Sequence, residues 1–196
     1  GGETRQLLRD LIAPALAQAY LQSVALTCNN WQRSSSSALS YSFTLLLTSG
    51  NLLLASTDLP STSVLLPVGN CTIQATISDA STGASTNVVS WIVTTRPPLN
   101  GQPMTDAQLI DLLATGLIPA ARTASDDSQL LLATAYLGNL LAANPGVAAT
   151  NPALIGALVS SVVNVTSSNA NTLLPSDNQQ IAGALASVTA GAGAAG

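Results

Sequence analysis

The first half of this chain is predicted to be an antiparallel β-sandwich and the second a small α-helical bundle, an α+β protein in two segregated domains. Three observations lead there. Within residues 65–79 the odd positions Cys71, Ile73, Ala75 and Ile77 are apolar, while the even positions Asn70, Thr72, Gln74, Thr76 and Ser78 are polar. That is the period of a strand with one buried and one wet face. Short segments of this kind recur at regular spacing up to residue 95, as sandwiches require. Beyond residues 96–101 the apolar period lengthens to that of a helix.

Taken in order, residues 1–10 read as the tail of a preceding region. Leu7, Leu8, Leu11 and Ile12 could open a helix, but Pro14 would break it, so a short strand is expected around residues 11–13. Residues 22–29 alternate, with Val24, Leu26 and Cys28 on one face. Residues 34–37 are four serines, a flexible loop able to carry O-linked sugar. Leu39, Tyr41, Phe43, Leu45 and Leu47 alternate over the next strand, 38–48. Gly50-Asn51 is read as a turn and residues 52–54 as a short strand. Residues 62–66 lead through the Pro67–Gly69 turn into the strand at 70–78, which Asp79 and Gly83 close. Residues 87–95 complete the set, with Val89, Trp91 and Val93 expected to form its inward file.

The sandwich domain thus spans 11–96, with 97–103 as linker, 104–190 as helical bundle and 191–196 as flexible tail. Thr105-Asp106-Ala107-Gln108 is a capping box opening a helix with Leu109, Leu112 and Leu113 on one face. Ser125-Asp126-Asp127 starts a second helix carrying Leu130, Ala133, Leu137, Leu140 and Leu141, stopped by Asn144-Pro145-Gly146. Asn151-Pro152 caps a third with Leu154, Ile155, Leu158 and Val162. Pro175 and the box at 176–179 begin a fourth with Ile181, Leu185 and Val188. Short connections imply antiparallel neighbours.

Composition excludes several function classes. Charged residues are 7% of the chain, Lys and His are absent, and net charge is −4. Five scattered arginines cannot supply the basic footprint that nucleic acid or an anionic membrane surface needs. Mean hydropathy of +0.40 argues against disorder. Surface polarity must come from Ser, Thr, Asn and Gln, which suits an extracellular glycoprotein or a piece whose outside is partly covered by neighbours. No stretch has the roughly 18 uninterrupted apolar residues of a spanning helix, so direct membrane insertion is not expected. With no signal peptide and no initiator Met, the chain reads as a segment of something longer.

Asn70-Cys71-Thr72 and Asn164-Val165-Thr166 are N-glycosylation sequons, so an N-linked glycan is expected at Asn70 and Asn164. Parity puts Asn70 and Thr72 on the outward face. Cys28 and Cys71, the only cysteines, fall on inward positions. They can be free buried thiols, but the sequons imply an oxidising compartment and favour a Cys28–Cys71 disulfide. Closing that loop would stabilise the fold by about 4 kcal/mol on the chain-entropy model.

No catalytic constellation emerges. The serines have no His or Lys as base, and no phosphate-binding glycine loop follows a strand. Asp126-Asp127 at a helix start reads as cap and dipole partner, and Asp79 as a turn former, in preference to metal ligands. Asp106 and Asp111 are too far apart to share a proton and are expected to be solvated. Trp31 and Trp91 could line a sugar site but are expected in the sandwich core. The chain is therefore read as non-enzymatic, with no cofactor and no metal site and with its ligand-binding residues open.

Ile12-Ala13-Pro14 followed by Val24-Ala25-Leu26-Thr27-Cys28-Asn29-Asn30-Trp31 resembles the opening of an REJ (receptor for egg jelly) module. Leu39-Ser40-Tyr41-Ser42-Phe43, Leu66-Pro67-Val68-Gly69-Asn70-Cys71-Thr72 and residues 78–86 continue the pattern in order, over about 11–96. Cys71 stands where that family often has an aromatic or apolar residue, so the disulfide is not implied by the resemblance. The helical half is similar in composition and position to the start of a GAIN helical subdomain, although the GAIN self-cleavage motif is absent from this chain. The resemblance implies a fibronectin-III-like or immunoglobulin-like sandwich in the extracellular region of a polycystin-1-type surface glycoprotein of a ciliary or flagellar membrane. It implies a spacer and protein-interaction role beside other extracellular domains of a larger chain, with a polycystin-2-type channel as a partner. Two alternatives remain open: a segment of an extracellular filament or coat such as a flagellar hair (mastigoneme), with neighbouring filament subunits as partners, and a carbohydrate-binding adhesion module.

Overall fold

In a computed structural model of the chain, residues 10–14, 16–29, 31, 38–48, 50–168 and 175–193 are described. Residues 1–9 of the expected leading tail, the serine loop at 34–37 and residues 194–196 lie outside the described residues; Asp10 belongs to a strand, and residues 191–193, expected to be flexible tail, continue the last helix. The chain is mixed α+β, with strands first and helices after residue 105, and it divides into two compact units. One comprises the chain up to Leu46 together with Leu54–Thr95; the other comprises Leu47–Leu53 and the chain from Arg96 onward.

The strands before residue 96 form two sheets. One has three strands, with β3 (Val24–Asn29) between β1 (Asp10–Ile12) and β6 (Ser61–Val64), both antiparallel to it. The other has the order β2-β8-β7-β4-β5, from β2 (Leu16–Gln18), β4 (Leu39–Leu47), β5 (Gly50–Thr57), β7 (Gly69–Asp79) and β8 (Ser85–Thr95). Strand β1 answers to the short strand expected around residues 11–13, whereas β2 has no counterpart in the sequence reading. Pro14 separates them, since it cannot donate a ladder hydrogen bond, and the chain changes sheets there. β2 then runs parallel to β8, the one parallel pair among the described strands. The alternation of β4 and β7 is realised: Tyr41, Phe43 and Leu45 are buried opposite Ile77, Ala75 and Ile73. The turn after β7 is built by Asp79, whose Oδ1 accepts from the Ser81 amide (2.8 Å) and hydroxyl (2.6 Å).

The stretch read as a plain linker is structured. Strands β9 (Pro98–Leu99) and β10 (Gln102–Pro103) form a hairpin across Asn100-Gly101. Both turn residues have positive φ, 52° and 79°, which is why Asn-Gly occupies them. Arg96 ties this hairpin to the first helix, donating to the Met104 carbonyl (2.9 Å) and pairing with Asp106. Its hydrogen bond holds the Asp106 carboxyl below the usual carboxylate range, so the pair is intact at neutral pH. Asp106 is therefore not simply solvated, as the sequence suggested.

Helix α1 (Asp106–Asp111) begins with the expected box: Thr105 Oγ1 accepts from the Gln108 amide and Gln108 Oε1 from the Thr105 amide. A π-helical stretch (Leu112–Leu117) leads directly into α2 (Ile118–Thr123). Pro119 accounts for it, because its ring crowds the carbonyl four residues back and offers no donor, and a widened turn relieves both. Asp126 caps α3 (Asp127–Ala143), accepting from the Gln129 amide at 2.9 Å. The helices α4 (Pro145–Thr150), α5 (Pro152–Ser168) and α6 (Pro175–Gly193) follow; α4 has no counterpart in the sequence reading.

Helix α3 was expected to bury one face. Instead every residue from Leu130 to Gly138 is buried, and α3 touches α1, α2, α4, α5 and α6. A helix apolar all round belongs in a core. Its closest neighbour is α6, across small residues. A Cβ on Gly138 would stand 2.7 Å from the Ser187 carbonyl carbon and oxygen, and one on Gly191 would stand 3.0 Å from the Gly138 oxygen. Leu185, assigned to the buried face of α6, is exposed instead; Ala184, Ile181 and Val188 are the buried positions. Leu52 and Leu53 are buried in this same unit, where Gln180 Nε2 donates to the Leu53 carbonyl (3.3 Å) and to Ser128 Oγ (2.9 Å).

Two substitutions probe the helical core in opposite directions. Gly138→Ala would gain helix propensity, yet backbone that cannot rotate aside meets the new methyl. A net loss of about 1–2 kcal/mol is expected in urea unfolding, whereas the same substitution at an unobstructed helical glycine would stabilise. Thr134 is fully buried and its hydroxyl has no hydrogen-bond partner among the described residues. Thr134→Val should therefore stabilise by about 1 kcal/mol in the same assay.

Candidate functional site

The surface with the most chemical character in the first unit is the outward face of the β2-β8-β7-β4-β5 sheet. It follows from register. Cys71 lies opposite Ile92 and both are buried, so their neighbours Asn70, Thr72, Trp91 and Val93 point the other way. Asn70 is opposite Val93, Thr72 opposite Trp91, and Gln74 opposite Val89. Leu16 on β2 extends the row beside Val93.

This overturns two expectations. The Val89, Trp91, Val93 file faces out, at 39%, 73% and 46% exposure, and Ile92 and Thr94 are the buried positions. Trp91 is not a core tryptophan, and Trp31 is half-buried. The physical reason is that both files of β8 contain apolar residues. The sheet selects the one that matches the inner file of β7, and the bulkier file is left outside.

The result is an apolar stripe, Leu16–Val93–Trp91–Val89, flanked by uncharged polar side chains. Thr76 Oγ1 donates to Asn87 Oδ1 across the strands at 2.8 Å, and Gln74 Nε2 donates to Thr76 Oγ1 at 3.4 Å. No charged residue stands on the paired outward positions of β4, β7 and β8. Such a face can stack on a flat apolar surface and exchange neutral hydrogen bonds, but it cannot recognise a partner by charge.

The two sequons are both at the surface. Asn70 is exposed at the start of β7, on the face just described. Asn164 is exposed within α5, where Thr166 Oγ1 donates to the Val162 carbonyl at 2.8 Å.

The expected disulfide is absent: Cys28 and Cys71 are both free and buried. They lie on strands of different sheets, and each sulfur is accommodated where it stands. Cys71 Sγ donates to the Pro67 carbonyl at 3.5 Å and lies 4.0 Å from Thr94 Oγ1, which itself donates to the Pro67 and Gly69 carbonyls. Burial pushes the Cys28 thiol up to about 11 and raises that of Cys71. Neither is an activated nucleophile.

Among the described residues no three His, Cys, Asp or Glu side chains cluster in a way that could hold a metal ion. Asp126 and Asp79 serve as cap and turn former. In the second unit an open cleft is lined by Leu99, Met104, Ala107, Gln108, Asp111, Leu112, Thr115 and Gly116, with Asp111 the one ionisable side chain among them. No described helix is long and apolar enough to cross a membrane.

Thiol counting tests the cysteine assignment. At pH 8 a thiol reagent should label neither residue in the folded chain and both after denaturation without reductant; a disulfide would leave none to label. The raised Cys28 value also sets a sign. The folded chain keeps this proton where the unfolded chain has lost it, so the associated stability is whole below about 8.5 and is lost as pH climbs towards 11. Cys28→Ser, whose hydroxyl does not titrate in that range, should remove part of this alkaline loss in urea midpoints measured from pH 8 to 11.

Compared with known proteins, the chain matches no family model and no curated protein.

Proposed function

We propose that this chain is a non-catalytic extracellular segment of a polycystin-1-like, REJ-containing surface glycoprotein of a ciliary or flagellar membrane, serving as spacer and protein-interaction module. In this reading the two sheets of the first unit form a fibronectin-III-like sandwich, and the helical unit corresponds to the start of a GAIN-like subdomain. The observation that carries it is the outward sheet face: an exposed tryptophan stripe set among Ser, Thr, Asn and Gln, with a sequon on it and no charge. An exterior made polar by neutral side chains and sugar suits an extracellular contact module. The ordered REJ-like motifs at Cys28–Trp31, Tyr41–Phe43 and Leu66–Gly69 point the same way.

The partner proposed is the ectodomain of a polycystin-2-type channel. A purified secreted form of this chain should co-elute with that ectodomain on size exclusion at micromolar concentrations. Clean separation of the two would count against the reading.

A second reading has its own support. Besides the Trp91 stripe, Val159 and Val163 lie one turn apart and exposed on α5, and Leu185 is exposed on α6. A filament or coat subunit would cover such residues with neighbouring copies. Self-association at tens of micromolar in sedimentation velocity would favour it; a persistent monomer would remove it.

A further inference from the structure

We propose that the glycan on Asn70 folds back over Trp91, so that the chain's own sugar covers the apolar stripe of the outward sheet face. The inference rests on the extracellular reading above and names the first occupant of that face.

Three observations carry it. First, Asn70 and Trp91 share the face by register: Asn70 is paired with Val93, and Trp91 is two residues along the same strand, directly opposite Thr72 of the sequon. Diagonal neighbours across an antiparallel pair lie roughly 7–8 Å apart, within reach of the first two sugars of an N-linked glycan. Second, both partners are accessible. Asn70 is exposed and Trp91 is 73% exposed, the most exposed large apolar side chain among the described residues. Third, the chemistry is complementary. The axial C–H faces of a pyranose ring stack on an indole, and the ring hydroxyls exchange neutral hydrogen bonds. Thr72 and Gln74, beside Trp91, supply such groups, and no charge competes. The second sequon is a built-in control, because Asn164 lies on a helix of the other unit.

The stripe itself explains why a cover is useful. Leu16, Val93, Trp91 and Val89 form a contiguous apolar row on one face of the mixed sheet, the kind of surface that associates non-specifically unless something is laid on it. A sugar tethered at Asn70 is present at high effective concentration and needs no bimolecular encounter.

The test is a four-protein cycle made by secretion from a eukaryotic host: the native chain, Asn70→Gln, Trp91→Ala and the double variant, with occupancy read by peptide mass. With Asn70 glycosylated, the native chain should show a folding equilibrium constant about five-fold above that of Asn70→Gln. In the Trp91→Ala background the same glycan should change nothing. Acrylamide quenching of tryptophan should fall when the Asn70 glycan is present, while removing the Asn164 glycan leaves quenching unaltered. An occupied Asn70 that alters neither folding nor quenching overturns the inference and leaves the extracellular reading standing. A bare Asn70 beside an occupied Asn164 overturns it equally. A secreted chain with both sequons bare overturns the extracellular reading and the inference together. Trp91→Phe guards against a trivial packing effect, since a smaller ring should retain part of the coupling.

Discussion

Strand β7 is the constraint on which the first unit depends. It is held on both sides over most of its length, by β4 through pairs from Leu46–Thr72 to Leu39–Asp79 and by β8 from Gly69–Thr94 to Ser78–Ser85. Because strand side chains alternate, each of these pairs fixes a face as well as a neighbour, and a slip of one residue would turn every side chain over. Cys71, Ile73, Ala75 and Ile77 bury a continuous inner file. Burial of that file is what forces β8 to present Trp91 to solvent. The outward face is therefore a consequence of the core and not an independent design.

The helical unit obeys a different rule. Its central helix is surrounded, so its neighbours must come close, and close approach requires small residues. Gly138, Ser187 and Gly191 let α3 and α6 touch almost backbone to backbone. A chain rich in Ala, Gly and Ser and nearly free of aromatics can form a dense core this way, since small side chains lose little entropy on burial and leave few gaps. Each unit thus has its own buried core, and neither relies on a covalent staple. The two thiols are packed as small apolar groups.

The features legible in the sequence were those in which local chemistry admits one answer. The alternation of β7, and of β4 as far as Leu45, has polar residues on every second position, and Thr105 with Gln108 and Asp126 are caps that work through their own backbone neighbours. Where two answers compete locally, the sequence alone did not decide. In β8 both Val88, Ile92 and Val89, Trp91, Val93 could face a core, and only cross-strand matching with β7 separates them. The disulfide was inferred from the compartment suggested by the sequons; burial alone is enough to explain both sulfurs. Asn100-Gly101 carried a hairpin signal that was read merely as a linker. The grouping of Leu47–Leu53 with the helical unit had no local signal, because it depends on residues such as Gln180 more than a hundred positions away.

The register of β7 against β8 is most directly tested by the emission of Trp91 in unglycosylated Trp31→Phe protein, which leaves a single indole. The register described here predicts the red emission of a water-exposed indole, quenched by acrylamide nearly as fully in the folded chain as in urea. Blue, quench-resistant emission that shifts red only on unfolding would place Trp91 in the core, move β8 by one residue, and contradict the outward face with everything built on it.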